Sequence, residues 1–123
     1  MSKVLVIEDQ KDMYSMFDLI LQFHGFDVTV VDDGRKATEI LKGGTPFDAI
    51  TLDSHLLGVP GTEIYYMLEK RGDAKRILVV STCIPGTKDF EIRGVNPLEM
   101  PVKIEDLVER VTEIVEHKVP AFK

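Results

Sequence analysis

The strongest constraint on the fold of this chain is the alternation of short apolar runs with amphipathic segments. The apolar runs are rich in Val, Ile and Leu and are short, so they predict buried strands. Between them, apolar residues recur every three or four positions, which predicts helices with one buried face. Strands that alternate with helices form a parallel sheet. The five predicted strands cover residues 3–7, 27–31, 47–52, 76–80 and 98–100.

Helical patterns follow the first, second, third and fifth strands, and the clearest of them is the last. Its apolar stripe comprises Ile104, Leu107, Val108, Val111, Ile114 and Val115. The stretch 85–95, after the fourth strand, is weakly patterned and predicts at most a short fourth helix. Right-handed crossovers place helices on both faces of such a sheet. We therefore expect an α/β fold, a doubly wound five-stranded parallel sheet in the flavodoxin-like strand order 2-1-3-4-5.

Size and composition favour one domain, which we expect to span residues 1–123. The net charge of −6 argues against a nucleic-acid-binding surface, and a basic membrane-binding helix is absent from the sequence. No apolar run is long enough to cross a bilayer, and the first residues lack the layout of a signal peptide. The single cysteine, Cys83, fits a reducing compartment, so we expect a cytoplasmic protein.

Polar side chains follow several of the predicted strands at the point where each strand ends. Glu8 and Asp9 follow the first strand, Asp53 follows the third, and Ser81 follows the fourth. In the expected strand order the first and third strands are neighbours, so the three carboxylates should converge. At about 4 Å and an effective dielectric constant near 20, each pair of carboxylates costs about 4 kcal/mol. A bound Mg²⁺ removes that cost, so the cluster is suited to metal-assisted phosphoryl transfer.

Each of these residues alone also has a simpler structural explanation. An acid such as Asp9 after a strand is often only the N-cap of the next helix. Asp53 followed by a serine can start a turn, and Ser81 can hydrogen-bond to a loop amide. Their joint placement at corresponding strand ends favours a functional site.

Five pieces of the sequence together match one known pattern. They are Val4-Leu-Val-Ile-Glu-Asp9, Phe47-Asp-Ala-Ile-Thr-Leu-Asp53, Gly61, Ser81 and Pro101-Val-Lys-Ile-Glu-Asp-Leu107. With these residues the chain resembles a receiver domain of the response regulators of two-component signalling. The likeness covers essentially the whole length of the chain. Any one piece would be a weak signal, whereas the combination is specific.

The resemblance implies a role for each residue of the predicted site. Asp53 would accept a phosphoryl group from a phosphohistidine on a sensor histidine kinase or a phosphotransfer protein. Asp9, Asp53 and the backbone carbonyl of His55 would ligate Mg²⁺, and Glu8 would act mainly through water on the metal. Ser81 would hydrogen-bond to the phosphoryl group and shift its loop. The domain would signal to a downstream target protein, with homodimer formation open, and its only catalysis would be its own phosphorylation and dephosphorylation.

The sequence also departs from the family pattern in the part that responds to phosphorylation. Met100 stands where the family has a lysine, and Pro97 and Leu98 leave no counterpart of the aromatic switch residue. Thr82 is bulkier than the usual residue, and Leu57 replaces a common proline. A methionine cannot pair with a phosphoryl oxygen. We therefore expect Mg²⁺ binding to be retained and phosphorylation to be coupled only weakly to the output surface.

Two other classes of function remain open at this point. The first is a receiver-like protein-interaction module that works without phosphorylation, which Met100 favours. The second is an enzyme or flavin carrier on the same fold. A flavin carrier would need hydroxyls and free amides after the first strand to hold a phosphate, and Glu8 and Asp9 would repel it. An aspartate-nucleophile phosphatase would need its nucleophile after the first strand and a second aspartate two residues later, which the sequence lacks.

Overall fold

The computed structural model of this chain describes residues 1–54, 56, 58–81, 98–99 and 101–116, except the side chain of Ser81. The strands are β1 (Lys3–Ile7), β2 (Asp27–Val31), β3 (Ala49–Asp53), β4 (Ile77–Ser81) and β5 (Leu98–Glu99). They form one parallel sheet in the order β2-β1-β3-β4-β5. The predicted fold class and strand order are therefore confirmed.

Helices lie on both faces of the sheet and bury a separate apolar core on each. The helices are α1 (Lys11–Phe23), α2 (Gly34–Lys42), α3 (Gly61–Lys70) and α4 (Ile104–Val115), and a single 3₁₀ turn covers Ala74–Arg76. One face packs against α2 and α3, and the other packs against α1 and α4. Within the described residues, no helix has the length and hydropathy needed to cross a membrane.

The alternation of side chains along each strand explains the two cores. In β1, Leu5 and Ile7 contact the α2 and α3 side, whereas Val4 and Val6 contact the α1 and α4 side. All four are at most 1 % exposed. In a strand buried on both faces no side chain faces solvent, which accounts for the continuous apolar run in the sequence.

Two strands, β3 and β4, differ slightly in their bounds from the sequence-based prediction. β3 begins at Ala49 and includes Asp53, and β4 includes Ser81. The shift follows from pairing, because Asp53 lies opposite Val80 in the ladder between β3 and β4. Phe47 precedes the strand but is still buried in the core beside α2 and α3. The predicted short helix within 85–95 lies outside the described residues.

A capping aspartate sets the start of α2. Asp33 Oδ1 accepts hydrogen bonds from the backbone N–H groups of Arg35 at 2.6 Å and Lys36 at 3.3 Å. These groups lack partners within the helix, so the cap stabilises the first turn. The neighbouring Asp32 makes an exposed ion pair with Lys36, at 3.1 Å.

Removing the cap should destabilise the protein more than removing the exposed ion pair. We expect D33A to lower the free energy of unfolding by about 0.5–2 kcal/mol. D32A is the matched control and should cost at most about 0.5 kcal/mol, because a single exposed ion pair contributes little. Urea unfolding of both variants at neutral pH measures the difference. Equal losses would contradict the assignment of Asp33 as the cap.

Candidate functional site

Glu8 is carried into the interior by the backbone ladder at the end of β1. Its N–H donates to the carbonyl of Val31 at 3.1 Å, which extends the pairing of β1 with β2 by one residue. The side chain of Glu8 is only 2 % exposed. Its Oε2 accepts a hydrogen bond from the N–H of Gln10, the residue before α1, at 3.3 Å. Asp9, between them, is half-buried.

Asp53 ends β3 in an equally buried position, with 2 % of its surface exposed. Backbone pairing of Asp53 and of the residue after it fixes its position. It lies opposite Val80 in the sheet, and the next residue, Ser54, donates its N–H to the Val80 carbonyl at 2.9 Å. Asp53 pairs with β4, and the residues before it in β3 pair with β1, so the centre of the sheet sets the position of Asp53.

Gly61, the first residue of α3, packs directly against the backbone of the Asp53 segment. A Cβ atom at this position would lie 2.5 Å from the Asp53 carbonyl oxygen and 3.2 Å from that of Ser54. Contacts this short do not occur for real side chains, so only glycine fits without movement. The close approach gives a physical reason for Gly61, one of the residues in which the sequence resembles the family pattern.

The three carboxylates meet at the carboxyl ends of β1 and β3. One oxygen of each of Glu8, Asp9 and Asp53 lies within 4.8 Å of the others. Burial raises the pKa of Glu8 from its ordinary value of 4.5 to about 9, and the hydrogen bond and negative charge of Asp53 add to the effect. Without a cation, the raised pKa favours a proton on Glu8 at neutral pH, which lowers the repulsion within the cluster.

The donor set fits a small, hard divalent cation. Glu8 Oε1 is buried and has no hydrogen-bond partner among the described residues, so one acceptor is left unused. Oxygens on opposite sides of one Mg²⁺ lie about 4 Å apart, and the three carboxylates each have one oxygen within 4.8 Å of the others. Carboxylate oxygens are also the ligands that Mg²⁺ prefers.

The other predicted site residues are described only in part. The backbone of Ser81 ends β4 one residue beyond Val80 and lies opposite Glu99 of β5, which places it at the same edge of the sheet. The side chain of Ser81 lies outside the described part of the chain, as do His55 and Met100. Three roles therefore stay predictions: the hydroxyl of Ser81, the carbonyl ligand of His55 and the altered switch position at Met100.

Two features of the site were not predicted from the sequence. Glu8 was expected to act mainly through water on a bound metal, whereas burial and the neighbouring Asp53 also raise its pKa. Ser54 was assigned only to a turn, yet it is 9 % exposed and its Oγ has no partner among the described residues. No local pattern signals either property, because both depend on how deeply segments distant in the chain bury these side chains.

The sequence matches a family model over most of its length. Residues 4–112 match the response regulator receiver domain. The chain belongs to this family. Among curated relatives, this receiver domain is 29% identical over 123 residues to the sensory transduction protein RegX3 of Mycolicibacterium smegmatis, covering 93% of this chain and 50% of the relative. It is 33% identical over 107 residues to the alkaline phosphatase synthesis transcriptional regulatory protein SphR of Synechococcus elongatus, covering 80% and 40%.

Solved structures support the same fold for this receiver domain. The Francisella response regulator 1452 receiver domain superposes with a TM-score of 0.81 at 23% identity, covering 96% of this chain and 99% of that one. A CheY-like receiver domain protein from Methanospirillum hungatei gives a TM-score of 0.83 at 18% identity, with 96% of each chain covered. At these identities the likeness concerns the fold alone. This receiver domain spans about half the length of the curated relatives it matches.

The raised pKa of Glu8 predicts that the metal-free domain loses stability as the pH rises. Unfolded Glu8 releases its proton near 4.5, whereas folded Glu8 keeps it to about 9. Between these values the folded state binds more protons, so the free energy of unfolding falls with increasing pH. We expect E8Q to flatten this slope and to stabilise the metal-free domain at pH 8 by about 1–3 kcal/mol.

Urea unfolding between about pH 5 and pH 8, without divalent cations, measures the slope. E39Q, at an exposed position on α2, is the control and should behave as the wild type. A wild-type slope equal to that of E8Q would show that Glu8 is already ionised in the folded state.

Adding a Cβ atom at Gly61 should disturb the acidic cluster without changing any carboxylate. We expect G61A to cost about 1–3 kcal/mol of stability through overpacking and to weaken Mg²⁺ binding, because the Asp53 backbone must move. G43A is the control, since Gly43 has a helical φ of −68° and its Cβ would have only one carbonyl oxygen as close as 3.3 Å. Calorimetric Mg²⁺ titration and urea unfolding give the two readouts. Unchanged Mg²⁺ affinity in G61A would separate α3 from the site.

Proposed function

We propose that this receiver domain accepts a phosphoryl group on Asp53 from a phosphohistidine of a sensor histidine kinase or phosphotransfer protein, with Mg²⁺ as cofactor. The observation that carries the proposal is the convergence of Glu8, Asp9 and Asp53 at one edge of the sheet. Membership of the receiver family supports it, and so does the sensory role in the name of the relative RegX3. A signalling domain, rather than a conventional enzyme, is the class of protein these observations favour.

The transfer follows from the chemistry of a carboxylate nucleophile. An oxygen of Asp53 attacks phosphorus, a P–O bond forms, the P–N bond to the imidazole breaks, and the leaving nitrogen takes up a proton. Asp9, Asp53 and the carbonyl of His55 would hold Mg²⁺, with Glu8 acting through water. When bound, Mg²⁺ supplies positive charge that offsets the charge on the carboxylates and the transferred group.

Burial restricts which phosphodonors can reach the acceptor. Only 2 % of Asp53 is exposed, so a donor must present its phosphoryl group on a narrow projection. A phosphorylated imidazole at the end of a side chain has that shape, and so does a small acyl phosphate.

The raised pKa of Glu8 has a second consequence, because cation binding must release the proton and is therefore favoured by higher pH.

The response to phosphorylation involves the positions at which the sequence departs from the family pattern. Ser81 would donate a hydrogen bond to a phosphoryl oxygen, and Met100 would offer no positive charge. We therefore infer weak coupling to a downstream target protein. The domain itself would contact neither DNA nor a membrane, in keeping with a net charge of −6, and we infer a cytoplasmic location for it.

Substituting the acceptor should abolish phosphorylation. With Mg²⁺ and a small acyl phosphate, we expect intact-mass spectrometry to show one added phosphoryl group on the wild type and none on D53N. D27N is the control, because Asp27 is an exposed aspartate at the start of β2. Labelling of D53N, or labelling of the wild type that persists after chelation of Mg²⁺, would contradict the proposal.

Restoring a lysine should strengthen the response. We expect M100K to label at Asp53 as the wild type does, and to show larger NMR shifts in β4 and β5 on addition of beryllofluoride, because an ammonium can pair with the anion. M100L is the matched control without a charge. Equal shifts in all three proteins would show that Met100 does not limit the coupling.

A further inference from the structure

β2 is an edge strand with backbone groups directed outward. It lies at one end of the strand order. The N–H of Asp27 donates to the Ser2 carbonyl at 2.8 Å, and the carbonyl of Val31 accepts from Glu8. Alternate residues of a strand face the same neighbour, so Asp27, Thr29 and Val31 all bond towards β1. The N–H and C=O groups of Val28 and Val30 therefore point away from the sheet, where they form a template for another strand.

A groove lies beside the carboxyl half of this edge. Its volume is about 370 Å³. It is lined by Tyr14, Val30, Val31, Asp32, Lys36 and Ile40. The walls come from α1 on one face of the sheet and from α2 on the other, so the opening follows the plane of the sheet. Such an opening leaves the outward groups of β2 accessible to an extended backbone.

We propose that a second copy of this chain pairs with β2 along this edge, in antiparallel orientation about a two-fold axis at Thr29. In this register Val28 lies opposite Val30 of the second copy, and the two residues exchange both backbone hydrogen bonds. The symmetry axis repeats the exchange, because the same surface serves both copies. Thr29 faces Thr29 of the second copy, a cross-strand pair that favours strand association.

The charges at the two ends of β2 favour a second copy in this orientation. Asp27 and Val31 have side chains on the same face, and Val31 packs in the core beside α2. Asp27 therefore lies opposite Val31 of the second copy, on the side where α2 of that copy presents Lys36. Lys36 contacts Asp32 of its own copy at 3.1 Å, with 65% of its side chain exposed. Its ammonium is therefore accessible to Asp27 of the other copy. A parallel in-register pairing would instead place Asp27 against Asp27, which is unfavourable.

Proline at the outward position tests the edge directly. V28P removes an N–H that the β1 ladder does not use, and proline is tolerated on an outer edge. In sedimentation velocity over a concentration series, we expect the wild type to form a dimer. V28P should weaken the dimer at least about tenfold, because two symmetry-related hydrogen bonds are lost. V28T keeps the N–H and the branched side chain and should dimerise as the wild type does.

Cysteine cross-linking tests the register. The Cα atoms of a non-hydrogen-bonded antiparallel pair lie about 4.5 Å apart, within the range that a disulfide spans. In a C83S background, T29C should form a disulfide-linked dimer on mild oxidation. L19C in the same background is the control, because Leu19 is 73% exposed on α1 and is not among the residues that line the groove. Equal cross-linking of both variants would contradict the register.

A charge exchange keeps the test decisive if V28P does not fold. D27K and K36E should each weaken the dimer, and the double variant should recover it. A chain that stays monomeric at the highest concentration studied would overturn the proposal. A dimer that persists in V28P, with no T29C disulfide, would assign self-association to another surface and overturn it equally. None of these outcomes depends on Asp53, so they are independent of the phosphorylation experiments.

Discussion

The chemistry of the site is set by the repulsion among three carboxylates that the sheet holds close together. Glu8 and Asp53 are each 2 % exposed and, with Asp9, bring one oxygen apiece to within 4.8 Å of one another. Two buried like charges cannot both be left without compensation, so the site needs either a proton or a cation. The raised pKa of Glu8 favours a proton as the compensation when no cation is bound.

Backbone hydrogen bonds at the centre of the sheet oppose this repulsion. Glu8 is tied to β2 through Val31, and the segment at Asp53 is tied to β4 through Val80. These bonds fix the main-chain positions from which both carboxylates project, in a sheet that buried residues support on both faces. Close packing of Gly61 against Asp53 adds a steric limit from α3. In a site fixed in this way, replacing a proton by a cation would need little movement of the main chain.

The same pairing that positions Glu8 also decides which groups β2 leaves at its outer edge. Because Val31 bonds inward to Glu8, the alternation of the strand directs Val30 and Val28 outward. One register thus connects the acidic site to the surface where we propose self-association. The charged residues Asp27 and Lys36 lie at opposite ends of that edge, an arrangement that is self-complementary only under two-fold symmetry.

The sequence alone determined the strand order, the two-sided burial and the carboxylates that follow β1 and β3. These properties rest on periodicity and on residue types at strand ends, which are local features. Only the tertiary structure decided that the pKa of Glu8 is raised, that Ser54 is buried, and that Gly61 has no room for a side chain. Desolvation and close packing depend on segments far apart in the chain, and for that reason no local pattern encodes them.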